Sequence, residues 1–332
     1  MANLSRYLIR RAVTLVPTVL GVIVITFSIG YIIPADLARA WAGGEKADPK
    51  FAAILAEKYH LNDPPHIQFY FLLKGLLTNT LTPPTKNTPV FTDLFRRFHV
   101  TLQLALLTIF FAVIIGIPLG IIAALKKDTA IDNTVRSWAL AGTSMPSFWF
   151  AYIMMYIFFT RLRWTYLAGD PLPSRMITGL PLLDALFLGE FNTFRAILMR
   201  YWLPAMVLGI LYAGAWARYL RNTLLDVLQS EFILFLKSKG VPRSWVWKHA
   251  LKNSMIPMVT IIGFSFGGLL GGAIITETIF ALPGIGYYTL QALYNLDFPI
   301  IIGSTLLFAI IVVLTSLVVD IIYSIIDPRI RY

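Results

Sequence analysis

Six stretches of the sequence are apolar over roughly twenty residues, the length that an α-helix needs to cross the hydrocarbon core of a membrane. They are residues 12–33, 101–125, 138–160, 202–222, 255–276 and 299–323. The composition agrees, because 57% of the 332 residues are apolar and only 14% are charged, too few charges to cover a water-exposed surface. The sequence therefore predicts an all-α integral membrane protein with six spans, and it excludes a disordered chain.

The distribution of lysine and arginine predicts how these spans are oriented. Basic residues are about twice as dense in one alternating set of connecting segments as in the other, and cytoplasmic segments are the ones that retain them. We therefore expect 1–11 to be a cytoplasmic N-terminus, 12–33 a first span retained as an anchor, and 34–98 an extracytoplasmic insertion. Residues 99–332 carry the other five spans and the most basic segment, 218–253. Both termini are expected in the cytoplasm.

The 34–98 insertion is too long for a simple connection and carries a helix pattern of its own. Asp48 and Pro49 have the chemistry of an N-cap and a first-turn proline, and apolar residues follow at helical spacing up to Tyr59. The run 62–65, Asn-Asp-Pro-Pro, ends that pattern. Residues 78–89 are rich in Thr, Pro and Asn, which is typical of a loop.

The sequence lacks the motifs of covalent and cofactor chemistry. It has no cysteine, no phosphate loop of the type Gly-x-x-x-x-Gly-Lys-Ser/Thr and no Gly-x-Ser-x-Gly turn. Its four histidines are not grouped at metal-ligand spacing. We therefore expect no enzymatic activity, no metal and no cofactor bound by this chain. The net charge of +11 is explained by cytoplasmic segments, so no nucleic-acid partner is expected.

Charged side chains inside the spans are few. Glu277 and Asp320 are the carboxylates nearest to predicted spans, and both lie close to helix ends, from which they are expected to reach the interface. A proton-coupled secondary carrier would instead place carboxylates near the midplane of the membrane. This pattern favours a pathway that receives its energy from elsewhere.

The segment 231–257 is predicted to form a helix, a glycine stop and a second helix. Residues 223–239 are compatible with one helix, Gly240 suits its C-terminal cap, and Pro242 prevents simple continuation. A short amphipathic helix is expected over 244–252. Such a hairpin on the cytoplasmic face suits a groove on a partner protein. Alternatively, its basic amphipathic surface lies on anionic lipid.

At this segment the sequence resembles the inner-membrane permease subunits of ATP-binding-cassette importers, in the oligopeptide and dipeptide branch. The likeness extends over nearly the full length of the chain. It is carried by Tyr7–Arg11, Leu61–Pro64, Ser144–Trp149, Glu231–Phe232, Ser238–Gly240, His249–Asn253, Ile256–Pro257, Gly267–Gly272, Thr276–Phe280, Pro283–Gly286 and Asp327–Arg329.

The resemblance implies a six-span permease that works with a second homologous permease, two ATPase subunits, an extracytoplasmic solute-binding protein and the membrane lipid. ATP and Mg²⁺ would be bound by the ATPase partner and not by this chain. The cargo would be di- and oligopeptides delivered by the binding protein. The ATPase-coupling loop would consist of Glu231, Phe232, Lys239, Gly240, Val241, Pro242 and His249.

Three departures from the family pattern leave alternatives open. Ile33-Pro34 is followed by Ala35-Asp36 where the family has Gly-Asp-Pro, and Thr-Asn-Thr-Leu at 78–81 replaces Gly-Asp-x-Gly. Leu236 and Ser238 stand where alanine is common. The two outer changes keep oligosaccharides and metal chelates open as cargo of the same kind of importer. A secondary carrier is the alternative from another class, and it would work without an ATPase.

Small residues and prolines in the spans suggest close packing and local breaks. A stripe of glycines in the fifth span permits close helix approach, or alternatively forms a gate; it consists of Gly263, Gly267, Gly268, Gly271 and Gly272. Pro118 and Pro146 are predicted to interrupt backbone hydrogen bonding in the second and third spans. Ile311, in the sixth span, is expected to face lipid.

Overall fold

A computed structural model of the chain describes residues 2–32, 36–42, 48–84, 86–165 and 169–326. These residues are largely helical, as the predicted all-α class requires, and no strand occurs among them. The helices are α1 Ala2–Ile32, α2 Leu37–Trp41, α3 Pro49–Lys58, α4 Pro65–Leu77, α5 Val90–Leu125, α6 Ala130–Ser144, α7 Ser147–Met155, α8 Pro181–Phe187, α9 Phe191–Leu228, α10 Glu231–Ser238, α11 Arg243–Leu270, α12 Ile274–Ile279, α13 Ile285–Tyr294 and α14 Phe298–Ile326.

Two compact units divide the chain. The first consists of Met1–Thr101, Gly271–Thr278 and Leu282–Val313, and the second of Leu102–Leu270, Ile279–Ala281 and Leu314–Tyr332. The first unit therefore contains the 34–98 insertion, and the second contains the segment predicted to couple to a partner.

The core of the first unit joins α1, α4 and α14. Ile23, Leu76, Ile302 and Leu306 are buried together, so apolar side chains from three separated parts of the sequence pack against one another. The predicted helix of the insertion is confirmed as α3, because Asp48 caps it by accepting a hydrogen bond from the Lys50 amide at 2.9 Å. The predicted break at 62–65 is confirmed too, since α4 begins at Pro65.

The core of the second unit is built on α5 and α9, which run parallel. A Cβ added at Gly116 would lie 2.9 Å from the Ala213 carbonyl oxygen, and one at Gly120 would lie 2.8 Å from the Ala217 oxygen. The paired residue numbers rise together along both helices, which fixes the parallel direction. Met258 of α11 is buried against the same pair of helices. The small residues therefore let the two backbones touch, as in other helix pairs within membranes.

Within the part of the chain that the structure describes, four helices are long and apolar enough to cross a membrane: Val90–Leu125, Phe191–Leu228, Arg243–Leu270 and Phe298–Ile322. Within α1, a shorter apolar stretch covers Val16–Tyr31. The predicted third span, 138–160, is not one helix, because α6 ends before Met145 and α7 begins after Pro146, whose backbones are extended. A π-helical turn, Tyr156–Arg161, then follows α7. The count of six spans stays a prediction.

Two predicted helix boundaries near Gly240 are wrong. Residues 223–239 form two helices, because Ser230 is extended at ψ 152° and α10 begins after it. The separate helix over 244–252 does not exist, since α11 runs unbroken from 243 to 270. Pro257 lies inside this helix, where it cannot donate a backbone hydrogen bond and its ring crowds the carbonyl group one turn earlier. The buried neighbours Ser254 and Met258 hold the helix on both sides of this proline.

Candidate functional site

The α10–α11 hairpin, residues 229–252, is the part of the second unit that most resembles a docking element. Its reversal is a Schellman motif. The Gly240 amide donates to the Lys237 oxygen at 3.0 Å, and the Val241 amide donates to the Leu236 oxygen at 3.2 Å. Gly240 has φ +73°, and a Cβ there would meet nothing within 4 Å. Glycine is therefore required by backbone conformation and not by crowding.

Pro242 starts the second arm of the hairpin. Its carbonyl oxygen accepts from the amides of Trp245 at 3.0 Å and Val246 at 3.2 Å, so α11 begins directly after the turn. Because only two residues separate the glycine from α11, the turn fixes the direction in which α11 leaves. The sequence correctly predicted the glycine cap and the interruption at Pro242, whereas the second helix begins at Arg243, one residue before its predicted start.

One face of the hairpin is anchored in the second unit. Ile233 of α10 and Val246 and Ala250 of α11 are buried in one cluster with Leu224 of α9 and Ala124 of α5. The half-buried Val241 packs against this cluster. The hairpin is therefore a rigid extension of three long helices and not a loose loop.

The opposite face is apolar and exposed. Phe232, Leu234, Phe235 and Trp245 are 45–58% exposed. Isolated apolar side chains are normal on a surface, but four on a hairpin of this size form a patch that indicates a binding partner or a lipid surface.

Cationic groups lie beside these aromatic rings. The Lys239 ammonium lies 5.5 Å from the Phe235 ring centre, and that of Lys248 lies 5.0 Å from the Trp245 ring centre. His249 contacts the rings of Phe232 and Trp245 with centres 6.2 and 6.3 Å apart. Of the predicted coupling residues, all except Val241 are exposed, namely Glu231, Phe232, Lys239, Gly240, Pro242 and His249. The structure thus brings the predicted set together on one hairpin.

The predicted glycine stripe is divided by the structure. Gly263 lies against Val319, and a Cβ at Gly267 would lie 3.3 Å from the Thr315 methyl carbon, both on α14. A Cβ at Gly268 would meet nothing within 4 Å. Beyond the end of α11, Gly271 and Gly272 form a turn, in which Gly272 has φ +113°. A gating role for these glycines stays a prediction.

The two prolines predicted to break spans behave differently. Pro146 separates α6 from α7, whereas Pro118 lies inside α5, which continues through it to Leu125. The close contacts of Gly116 and Gly120 hold α5 against α9 on both sides of Pro118. Those two glycines are four residues apart and face Ala213 and Ala217, also four apart, so a small-x-x-x-small pattern in the sequence could have found this interface.

A buried ion pair between α6 and α9 was missed by sequence reasoning. The Arg221 Nε and Nη2 atoms donate to the two Asp132 oxygens at 3.0 and 2.6 Å, and the Asp128 amide adds a bond at 3.0 Å. The Asp132 side chain is fully buried and that of Arg221 is 13% exposed. The hydrogen bond from Arg221 lowers the pKa of the Asp132 carboxyl, against the opposing effect of burial. Bidentate geometry of this kind gives the strongest arginine–carboxylate pairs.

The expectation that Glu277 reaches the membrane interface is wrong, because this residue is 0% exposed. Its two carboxylate oxygens accept from the Thr101 hydroxyl at 2.7 Å and the Tyr287 amide at 2.9 Å. Gly284 leaves the room for this carboxylate, since a Cβ there would collide with it. The carboxylate thus satisfies orphan amides at the start of α13. It is a structural acceptor in the first unit, and only tertiary contacts reveal it.

Among the described residues, no group of three or more His, Asp or Glu side chains is arranged so that it could hold a metal ion. Some residues that carried the resemblance fall outside the described ranges. Among them is the end of the chain, Asp327–Arg329, and Pro34 and Ala35 of one outer departure lie outside these ranges as well.

Comparison with known proteins agrees with the helical architecture. Residues 116–332 match the family described as binding-protein-dependent transport system inner membrane component, and residues 4–105 match the N-terminal region of such membrane components. The dipeptide transport system permease protein DppB of Alkalihalophilus pseudofirmus is 38% identical over an alignment of 333 positions, which covers 98% of this chain and 99% of that protein.

Two further relatives carry names of the same kind. The dipeptide transport system permease protein DppB of Escherichia coli K12 is 35% identical over 337 residues. The glutathione transport system permease protein GsiC of Salmonella typhi is 34% identical over 328 residues. In both cases the match covers 98% of this chain and 99% of the relative.

Proposed function

The chain belongs to the family of binding-protein-dependent transport system inner membrane components, and from this membership we propose the part that it takes in the assembled importer. It is a multi-pass inner-membrane permease and a non-enzymatic component of its transporter. With a second homologous permease it forms the transmembrane pathway. Two ATPase subunits supply the energy at the cytoplasmic face, and an extracytoplasmic binding protein delivers the cargo.

The cargo is a di- or oligopeptide. The relatives named above are called dipeptide and glutathione permeases, and all three cover nearly the whole of this chain. Oligosaccharides and metal chelates, which the two outer departures keep open, have no counterpart among these names. A binding protein selects the cargo before the permease meets it, so a calorimetric peptide screen on that binding protein tests this assignment.

The α10–α11 hairpin carries the proposal that an ATPase docks on this chain. Its apolar exposed face is the kind of surface that fits into a groove of a partner protein. Its opposite face is anchored by Ile233, Val246 and Ala250 to the ends of α5 and α9. A movement imposed by a partner on the exposed face would therefore be transmitted directly to α5 and α9. A secondary carrier has no need of such an element.

The proposal is tested by moving the second arm of the hairpin without touching its exposed face. Gly240→Val places a β-branched residue at φ +73°, where the strain is about 1–3 kcal/mol. Relief of that strain changes the direction of α11 relative to α10. We expect weaker co-purification of the ATPase, or ATP hydrolysis that no longer responds to peptide-loaded binding protein.

Gly189→Val is the matched control. Gly189 has φ +70° and equally open surroundings, but it lies between α8 and α9, far along the chain from the hairpin. It should retain the ATPase and its stimulation. If the hairpin lies on lipid instead, the charge reversal of Lys248 and Lys252 to Glu will impair the complex and Gly240→Val will not. Normal ATPase retention and stimulation in Gly240→Val contradicts the docking role.

A further inference from the structure

A compact group of charged side chains surrounds the Tyr288 ring in the first unit. The Lys86 ammonium lies 4.6 Å and the Arg97 guanidinium carbon 4.4 Å from the centre of that ring. The Tyr288 hydroxyl donates to an Asp93 oxygen at 3.1 Å, and Lys86 donates to the same oxygen at 3.0 Å. The group therefore holds two cations, one carboxylate and one aromatic ring.

The two cations have different partners. Lys86 forms an ion pair with Asp93, whose side chain is 8% exposed. Among the described residues no carboxylate forms an ion pair with Arg97, whose Nη1 atom makes a long contact of 3.4 Å with the Pro283 oxygen. The nearby Asp297 is buried and accepts from the Ile300 amide at 3.3 Å. The Asp93 carboxylate also attracts the Arg97 guanidinium, but one carboxylate balances only one of the two cations, so this group of side chains presents one positive charge to a ligand.

The position of Arg97 suits an anion arriving from solvent. Its side chain is half-buried, so it is accessible and yet partly shielded from water. Contact with the Tyr288 ring restricts the long side chain before any ligand binds, which reduces the entropy that binding would cost. A guanidinium presents a planar pair of N–H donors that matches the two oxygens of a carboxylate.

We propose that Arg97, held against Tyr288, binds the C-terminal carboxylate of the peptide during import. The inference rests on the proposed function. Peptides of different sequence share only their backbone and their two charged termini, so a permease that accepts many peptides must use those common groups. Arg97 lies at the start of α5, beside the insertion that the charge distribution assigns to the outer side. A peptide released from the binding protein would meet it before entering the membrane.

The experiment compares a peptide acid with its amide, because the amide lacks only the charge that Arg97 would bind. The complete importer is reconstituted in proteoliposomes with its binding protein, and uptake of Ala-Phe and of Ala-Phe amide is measured at concentrations that saturate the binding protein. Wild type should import the acid about tenfold faster or more, as expected for a hydrogen-bonded charge pair. Arg97→Gln should lose most of this preference by slowing uptake of the acid.

Arg96→Gln is the matched control. Arg96 is exposed and adjacent on α5, so removal of its charge should leave the preference for the acid unchanged. If Arg97→Gln does not assemble, Arg97→Lys carries the test. Lysine keeps the charge but not the planar pair of donors, and it should reduce the preference several-fold.

Three outcomes overturn the inference. If uptake of the acid and uptake of the amide are slowed equally in the Arg97 variants, Arg97 has only a structural role through its contact with Pro283. If Arg97→Gln keeps the wild-type preference for the acid over the amide, Arg97 does not bind the cargo. A wild-type importer that transports other cargo but neither peptide refutes the peptide assignment itself, and the carboxylate site with it.

Discussion

Gly120→Ala should destabilise the protein although alanine is the better helix former. The added Cβ would lie 2.8 Å from the Ala217 oxygen, 3.2 Å from the Ala217 Cα and 3.1 Å from the Leu220 Cβ. Favourable carbon contacts need about 3.5–4.0 Å. The α5 and α9 backbones must therefore separate locally by about half an ångström. Overpacking of this kind costs about 1–3 kcal/mol.

Gly21→Ala measures the opposing gain. Gly21 lies in the middle of α1, and a Cβ there would meet nothing within 4 Å. Both replacements gain about 1 kcal/mol of helix propensity. That gain cancels in the difference between the two variants, so the difference isolates the collision with α9 and should be about 1–3 kcal/mol.

The assay is thermal unfolding of the purified protein in detergent, followed by the fluorescence of its eight tryptophans. At about 2 °C per kcal/mol for a chain of this size, Gly120→Ala should unfold about 2–6 °C below Gly21→Ala. If Gly120→Ala is as stable as Gly21→Ala, the two helices are not in backbone contact at this position.

Two other predictions concern orientation and electrostatics. The chain has no cysteine, so a cysteine at Asn87 should react with an impermeant maleimide from outside and one at Ser244 only from the cytoplasm; the reverse pattern refutes the assigned orientation. Asp132→Ala should cost at most about 3–5 kcal/mol at neutral pH, because it removes the carboxylate that pairs with the largely buried Arg221. The pKa of Asp132 is lower in the folded protein than in the unfolded chain. The ion pair therefore stabilises the fold fully at a pH above the unfolded-state pKa, and this stabilisation is lost as the pH falls through the folded-state pKa. Unfolding curves should thus show a smaller penalty in acid, and an equal penalty at both pH values contradicts the ion-pair account.

Local chemistry made part of the structure predictable. The Asp48 cap, the break before Pro65 and the glycine cap at Gly240 each depend on a few adjacent residues, and each was predicted correctly. The break at Ser230 was not, because serine and glutamine do not exclude a helix. Its position is consistent with the burial of Ile233 in the hairpin cluster.

Tertiary contacts decided what the sequence did not predict. Glu277 lies near a helix end, as expected, but Thr101 and the Tyr287 amide enclose it. Ile311 was assigned to lipid and is 7% exposed. The faces of an apolar helix are similar in composition, so periodicity cannot tell a lipid-facing residue from a buried one. A small-x-x-x-small pattern marks one face of α5 and one face of α9 in the sequence, but the tertiary fold decides that these two faces meet.

In the importer as proposed, the unbroken α11 would serve as a lever arm. Its 28 residues span about 42 Å at 1.5 Å per residue. One end is embedded beside Gly240 in a junction shared with α5, α9 and α10, and Leu270 stands at the other. A rotation of about 5° at the junction would displace that far end by about 4 Å, given this length. A small movement of the hairpin would thereby become a larger displacement at the far end of α11. A flexible segment inserted between residues 252 and 257 would prevent this transmission.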